Sequence, residues 1–277
     1  MWIAKTKQQL KENLRDTSGP VILVPTMGAL HQGHTSLIDA ARQKAGPDGT
    51  VLVSIFVNPI QFDRESDLAK YPRPLESDIA ACKAHGANGV FAPYDGEVYA
   101  EDRSITVLET ELSRYLCGAT RPGHFDGVCT IVLKLFNLTK CDAAIFGEKD
   151  FQQLAIVRRM VRDLDLETEI LTHPTIRETD GLAMSSRNRR LTAEHRADAA
   201  RICLALSSAA RQTAIGKILG TAERVLSESD FVKIDYLSLV DAESLAPATN
   251  LDRPTVLACA VFYGDVRLID HIDIPAR

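Results

Sequence analysis

Through the first two-thirds of the chain, short uncharged apolar runs alternate with segments of helical period. TVLVSIFVN (50–58) is the clearest run, rich in β-branched residues, uncharged and without the apolar–polar alternation of a strand with one face in water. GPVILVP (19–25), GVFAP (89–93), AAIFG (143–147) and ETEILTH (167–173) read as further strands. Between them, 35–44, 75–87, 126–140 and 150–164 carry apolar residues at helical spacing. A strand buried on both faces needs cover on both, and a parallel neighbour is reached only over a long crossover. The alternation therefore predicts an α/β, doubly wound parallel sheet. SITVLET (104–110) is expected to add a strand, and MWIAKTKQQLKENL to form a short amphipathic start.

The pattern changes near residue 175. The polar loop RETDGLAMSSRNRR (177–190) leads into an alanine-rich helix expected near 192–213, then a second helix around 217–228. FVKIDYLSLV (231–240), TVLACAVFY (255–263) and DVRLIDHIDI (265–274) read as strands, the last two joined by a hairpin at Tyr263-Gly264. The expectation is a Rossmann-like domain over 1–175 and a smaller α+β domain with a short antiparallel sheet over 176–277. With no repeat or low-complexity linker, the two are expected to pack around a shared cleft.

Composition excludes several classes. The net charge is −5 with no long basic block, which argues against nucleic acid as a partner. No run approaches the roughly 18 apolar residues of a spanning helix, so no membrane partner is expected. The six cysteines are scattered with no CxxC pair and read as reduced, buried small residues of a cytoplasmic protein.

Four constellations can carry chemistry. In VILVPTMGALHQGHTSLI (21–38), His31 and His34 stand three apart where a strand gives way to a helix, with Gly28 and Gly33 beside them. Unpaired N–H groups and the positive end of the helix dipole favour an anion there, and imidazoles can donate to phosphate oxygens. Surface histidines at a turn would look the same. A metal would need a third ligand that the spacing does not supply, and GxGxxG is absent. In FGEKD (146–150), Lys149 sits at a second strand-to-helix junction, while Asp150 can equally be an N-cap. LAMSSRNRRL (182–191) places Ser185 and Ser186 before Arg187, a donor-rich segment suited to phosphate or, alternatively, to capping the next helix. A loop closing over a nucleotide would explain Gly181 and the concentration of polar groups. Gln61 in FVNPIQF and Gln153 in DFQQL are amides at two strand ends, suited to a small polar acid. In RPGHFDGV (121–128), Arg121 and His124 are expected to orient a loop or meet a partner chain, with a structural role favoured.

PTMGALHQGH, FVNPIQF, YPR, RPGHFDGV, FGEKDFQQL and MSSRN, in this order over essentially the whole chain, closely resemble the pantoate–β-alanine ligase family of the nucleotidyltransferase superfamily. The resemblance implies ATP-dependent condensation of pantoate with β-alanine through a pantoyl-adenylate, with Mg²⁺ accompanying ATP, in a cytoplasmic homodimer. It implies an ATP site of Met27, Gly28, His31, His34, Gly147, Glu148, Lys149, Asp150, Ile176, Met184, Ser185, Ser186 and Arg187. His31 and His34 match the HIGH-like motif, and Met184–Arg187 the KMSKS-like loop on the second domain. Catalytic roles fall to His34, Lys149, Ser185 and Arg187. Gln61 and Gln153 match the pantoate-binding glutamines, with Gln61 also near β-alanine. Asp78, in the departing PLESD segment, is the acid carried over toward the metal, and Gln32 stands where acidic residues are common. Two other classes fit parts of the pattern: a nucleotidyltransferase that leaves the nucleotide on its product, and a nucleotide-binding sensor without turnover.

Overall fold

In a computed structural model describing residues 1–277, six strands form one parallel sheet: β1 (Trp2–Ala4), β2 (Val21–Thr26), β3 (Thr50–Ile55), β4 (Gly89–Phe91), β5 (Ala143–Gly147) and β6 (Glu169–His173). Their order is β1-β4-β3-β2-β5-β6, so the winding reverses between β2 and β5. Every residue of β3 is buried, in keeping with its uncharged, largely apolar sequence. Ile22, Val24, Val51, Val53 and Val90 build one face of the core against Leu37, Ile38 and Ala41 of the helix Gln32–Ala45.

The strand β1 was not legible in the amphipathic start. Three residues cannot show a period, and Trp2 is held by its pairing with Gly89 and by donating its N–H to the Asn88 carbonyl at the sheet edge. The amphipathic part follows it as the helix Lys7–Arg15, capped by the Thr6 hydroxyl, which accepts from the Gln9 N–H.

The strand expected at 104–110 does not form. The Val107 N–H donates to Thr130 Oγ1 and the Glu109 N–H to Asp126 Oδ1, so side chains of the helix His124–Thr139 take the place of a ladder partner. Ile105 and Leu108 are 80% and 68% exposed, the reverse of what a strand in the core would show.

The chain falls into two units. One comprises Met1–Glu109, Arg121–Glu148 and Ile156–Pro174, the other Thr110–Thr120, Lys149–Ala155 and Thr175–Arg277. The second holds an antiparallel sheet of β7 (Val232–Asp241), β8 (Thr255–Tyr263) and β9 (Val266–Ile274), with β8 central. Ile202, Leu206, Ile218 and Leu226 from two helices cover Leu257, Cys259 and Val261 of β8.

The long helix expected over 192–213 is two, Ala193–Asp198 and Arg201–Ala209. Ala199 and Ala200 have ψ of −21°, tightening the chain to 3₁₀ geometry. The Asp198 carboxylate at the break accepts from Ser229 Oγ (2.6 Å) and the Tyr263 hydroxyl (2.9 Å), contacts 31 and 65 residues away. No helix is long and apolar enough to cross a membrane.

Candidate active site

The turn out of β2 is built to expose donors. After Thr26 the backbone reverses through Gly28 (φ +79°) and Ala29 (φ +52°). A Cβ on Gly28 would lie 2.9 Å from Asp78 Oδ2, so both the conformation and the space call for glycine. Asp78, only 2% exposed, accepts from the N–H of Ala29 on one oxygen and of Leu30 on the other, each at 2.8 Å.

His31 is then the N-cap of the helix Gln32–Ala45. Its Nδ1 accepts from the Gly33 N–H (3.1 Å), and His34 Nδ1 accepts from the His31 N–H (3.3 Å), a reciprocal capping box made by two imidazoles. The rings lie 4.1 Å apart between centroids. With both Nδ1 atoms acting as acceptors, each neutral ring carries its proton on Nε2. The motif thus sets two imidazoles where the helix dipole is positive. The neighbouring β5 ends at Gly147, around whose missing Cβ nothing lies within 4 Å. Ligands of open α/β sheets bind at such a reversal of winding, outside the carboxyl ends of the strands.

Beyond β3, Gln61 ends a 3₁₀ turn, Pro59–Gln61, and is 7% exposed. Asn58 Nδ2 donates to Gln61 Oε1 (2.9 Å) and to the Gly127 carbonyl (3.0 Å), while Gln61 Nε2 donates to Met27 Sδ (3.2 Å). The helix His124–Thr139 reaches this turn through Gly127, where a Cβ would come within 2.7 Å of the Gln61 backbone. His124 Nδ1 lies 2.7 Å from the Gln61 carbonyl, and Arg121 Nε donates to Asp63 Oδ1 at 2.8 Å. Burial alone would raise the Asp63 carboxyl, but the Arg121 hydrogen bond and charge hold it below the usual range. Arg121 and His124 of RPGHFDGV thus both contact the turn that carries Gln61 and the residues just after it.

The 3₁₀ turn Glu148–Asp150 follows β5 and opens onto the helix Phe151–Asp163. Lys149 Nζ stands 3.8 Å from Asp150 Oδ1 with its side chain 19% exposed. The adjacent glutamines separate by role. Gln152 is buried and donates to the carbonyls of Leu112 and Tyr115, whereas Gln153 is half-buried. Phe151 stacks on His271 of β9 at 5.2 Å, and burial pushes that imidazole's pKa down against the pull of Asp270 and Asp273.

The segment Ile176–Arg187 is a hairpin followed by a 3₁₀ turn. The Met184 N–H donates to the Ile176 carbonyl (2.9 Å) and the Glu178 N–H to that of Leu182 (2.8 Å). Ser185 caps the turn Ser186–Arg190, its hydroxyl accepting from the Arg187 N–H at 3.3 Å. Arg177 forms a two-pronged ion pair with the buried Asp270 at 2.6 and 3.0 Å. Glu178 accepts from Asn188 Nδ2 (2.8 Å) and from Arg196, so helix Ala193–Asp198 holds the loop from beneath.

Asp78 does not fit a resident metal ion. Both its oxygens are engaged by backbone N–H groups in a buried setting, and no group of three His, Cys, Asp or Glu side chains gathers anywhere.

A profile of the Pantoate-beta-alanine ligase family matches residues 2–273. The chain belongs to this family. It is 50% identical over 258 residues to a pantothenate synthetase of Akkermansia muciniphila, covering 92% of both chains. The crystal structure of pantothenate synthetase from Thermus thermophilus superposes with a TM-score of 0.92 at 38% identity, over 99% of this chain and 100% of that one. A pantoate-beta-alanine ligase from Francisella tularensis, complexed with beta-gamma ATP and beta-alanine, superposes at 0.82 with 32% identity, over 98% and 97%.

Met27, Gly28, His31, His34, Gln61, Gly147 and Glu148 lie in one unit, where Gln61 meets Met27 and His31 meets His34; Lys149, Asp150, Gln153, Ile176 and Met184–Arg187 lie in the other. Sequence reasoning passed over Asn58, although its position inside FVNPIQF, three residues before Gln61, was a usable signal. Glu178 and Arg196 carried none, because their value lies in a pairing across the loop. Asp78→Ala is expected to lower the unfolding free energy by about 2–4 kcal/mol in chemical denaturation with EDTA present, since two buried N–H groups lose their acceptor. A residue serving only a metal would leave the chelator-treated protein unchanged.

Proposed function

We propose that the chain condenses (R)-pantoate with β-alanine in an ATP-dependent reaction, forming pantothenate, AMP and pyrophosphate through a pantoyl-adenylate. The observation that carries the reading is the imidazole capping box, in which His31 and His34 close the N-terminus of the helix Gln32–Ala45 through their Nδ1 atoms.

The chemistry asks for little else. A carboxylate is a poor acyl donor, so the pantoate carboxylate first attacks the α-phosphorus of ATP and pyrophosphate leaves. The β-alanine amine then attacks the acyl carbon, releasing AMP and a proton. Both steps move negative charge across phosphate oxygens, which His34, Lys149, Ser185 and Arg187 stabilise as donors. Met27, Gly28, His31, Gly147, Glu148, Asp150, Ile176, Met184 and Ser186 bind the nucleotide. Gln61 and Gln153 hold pantoate, Gln61 also bordering the β-alanine position. No side chain is needed as a nucleophile, and positioning with exclusion of water protects the anhydride until the amine arrives. Mg²⁺ belongs to the nucleotide substrate, carried on its phosphates.

Incubation with ATP, pantoate and β-alanine is expected to yield AMP and pyrophosphate, with all three required. ADP and phosphate, or a product that keeps the nucleotide, would refute the reaction. Lys149→Ala is expected to reduce turnover by about 10²–10³-fold, the scale for one preorganised donor, in a coupled pyrophosphate assay.

The protein acts as a homodimer in the cytoplasm. Support for the compartment comes from six free thiols, five of them buried, in keeping with a reducing environment. Support for the dimer comes from 104–110, a segment that joins no strand or helix and leaves Ile105 and Leu108 in water. Light scattering is expected to give twice the 30.4 kDa chain mass, and a monomer at micromolar concentration would contradict it.

A further inference from the structure

Gln61 can serve a substrate in two ways, as a donor through Nε2 or as an acceptor through Oε1. Which end faces the ligand depends on what holds the other. Asn58 and Gln61 are 1% and 7% exposed, so protein groups rather than bulk water decide how both amides point.

The decision traces back to Tyr99. Its hydroxyl donates to Asn58 Oδ1 at 2.8 Å, which makes that oxygen the accepting end of the amide. Asn58 Nδ2 must then point away, and its two hydrogens go to Gln61 Oε1 (2.9 Å) and the Gly127 carbonyl (3.0 Å). Turning Asn58 over would set its oxygen against the Gly127 carbonyl, two acceptors at contact distance with no proton between them. With Oε1 occupied, Gln61 is left with Nε2 on its ligand side. There Nε2 meets Met27 Sδ at 3.2 Å, a weak acceptor that an oxygen would readily replace.

Tyr99 is itself held in place. Its ring lies under two cations, with Arg103 Cζ 5.3 Å and Lys134 Nζ 5.6 Å from the ring centre. Burial raises the pKa of its hydroxyl well above the ordinary tyrosine value, against the pull of Arg103. The hydroxyl is therefore held in its protonated form, the one that donates to Asn58.

We infer that Tyr99 is a positioning residue for pantoate: through Asn58 it fixes the Gln61 amide with its N–H groups toward the substrate, so this pocket takes an acceptor oxygen. The inference rests on the reading that Gln61 meets pantoate. The substrate groups it suits are a carboxylate or the lone pairs of a hydroxyl, and an ammonium in that place would meet the wrong end of the amide.

Tyr99→Phe removes the hydroxyl and keeps the ring between its cations. Steady-state kinetics are expected to show KM for pantoate raised about tenfold, the scale of one lost buried hydrogen bond, with KM for ATP unchanged. Gln61→Ala should raise KM for pantoate as well, and the double variant should be no worse than Gln61→Ala alone, because both act on one contact. A wild-type pantoate KM in Tyr99→Phe beside a raised one in Gln61→Ala overturns the role of Tyr99 and leaves that of Gln61 standing. An unchanged pantoate KM in Gln61→Ala overturns the reading of Gln61 and this inference with it. Equal rises in both KM values, or full additivity in the double variant, overturn the positioning role in favour of a general structural one. If Tyr99→Phe does not fold, Asn58→Asp still accepts from Tyr99 but cannot donate to Gln61. It should raise the pantoate KM similarly, and a wild-type value overturns the inference.

Discussion

A buried strand that becomes a helix within five residues leaves backbone N–H groups in a dry interior, and the chain must satisfy them at that point. β2 faces this problem between Met27 and His31. Asp78 answers the inner half, taking the N–H groups of Ala29 and Leu30 on its two oxygens. His31 and His34 answer the outer half by capping with their Nδ1 atoms. The same bonds that let the turn fold decide the tautomer of both rings. An unmet buried N–H costs about 1–3 kcal/mol, which explains why a carboxylate is retained in so apolar a place.

The same logic organises the second polar centre. The 3₁₀ turn after β3 lies against Gly127 closely enough to exclude a Cβ, and the groups so buried pair among themselves: Asn58 with Gln61, His124 with the Gln61 carbonyl, Arg121 with Asp63. In the unit carrying the antiparallel sheet, the Ile176–Arg187 segment is held by Arg177 on Asp270 and by Glu178 between Asn188 and Arg196. The turn after β3 and the Ile176–Arg187 segment thus each rest on polar partners from elsewhere in the chain.

Local periodicity made most elements readable. β2, β3, β5 and the helix His124–Thr139 fall where apolar spacing put them, because burial of those faces dominates their energetics. Periodicity failed where another partner outcompeted the ladder or the helix. SITVLET alternates like a strand, yet Thr130 and Asp126 take its N–H groups. The helix expected over 192–213 breaks where Asp198 meets Ser229 and Tyr263, neither of which the segment's own sequence can announce. The two glutamines of DFQQL show the same limit: identical neighbours, one serving the carbonyls of Leu112 and Tyr115 and the other left half-buried.

The sequence by itself determined the parallel α/β plan, the later antiparallel sheet and the three motif segments, because apolar period and the residue types at strand ends are local properties. The tertiary structure alone decided what the polar atoms do. It assigned Asp78 to a loop 49 residues away, set the Nδ1 atoms of His31 and His34 as the caps of one helix, and linked Gln61 through Asn58 to Tyr99, 41 residues beyond Asn58. A hydrogen bond depends on where its partner arrives. That position exists only once the sheet has closed around it.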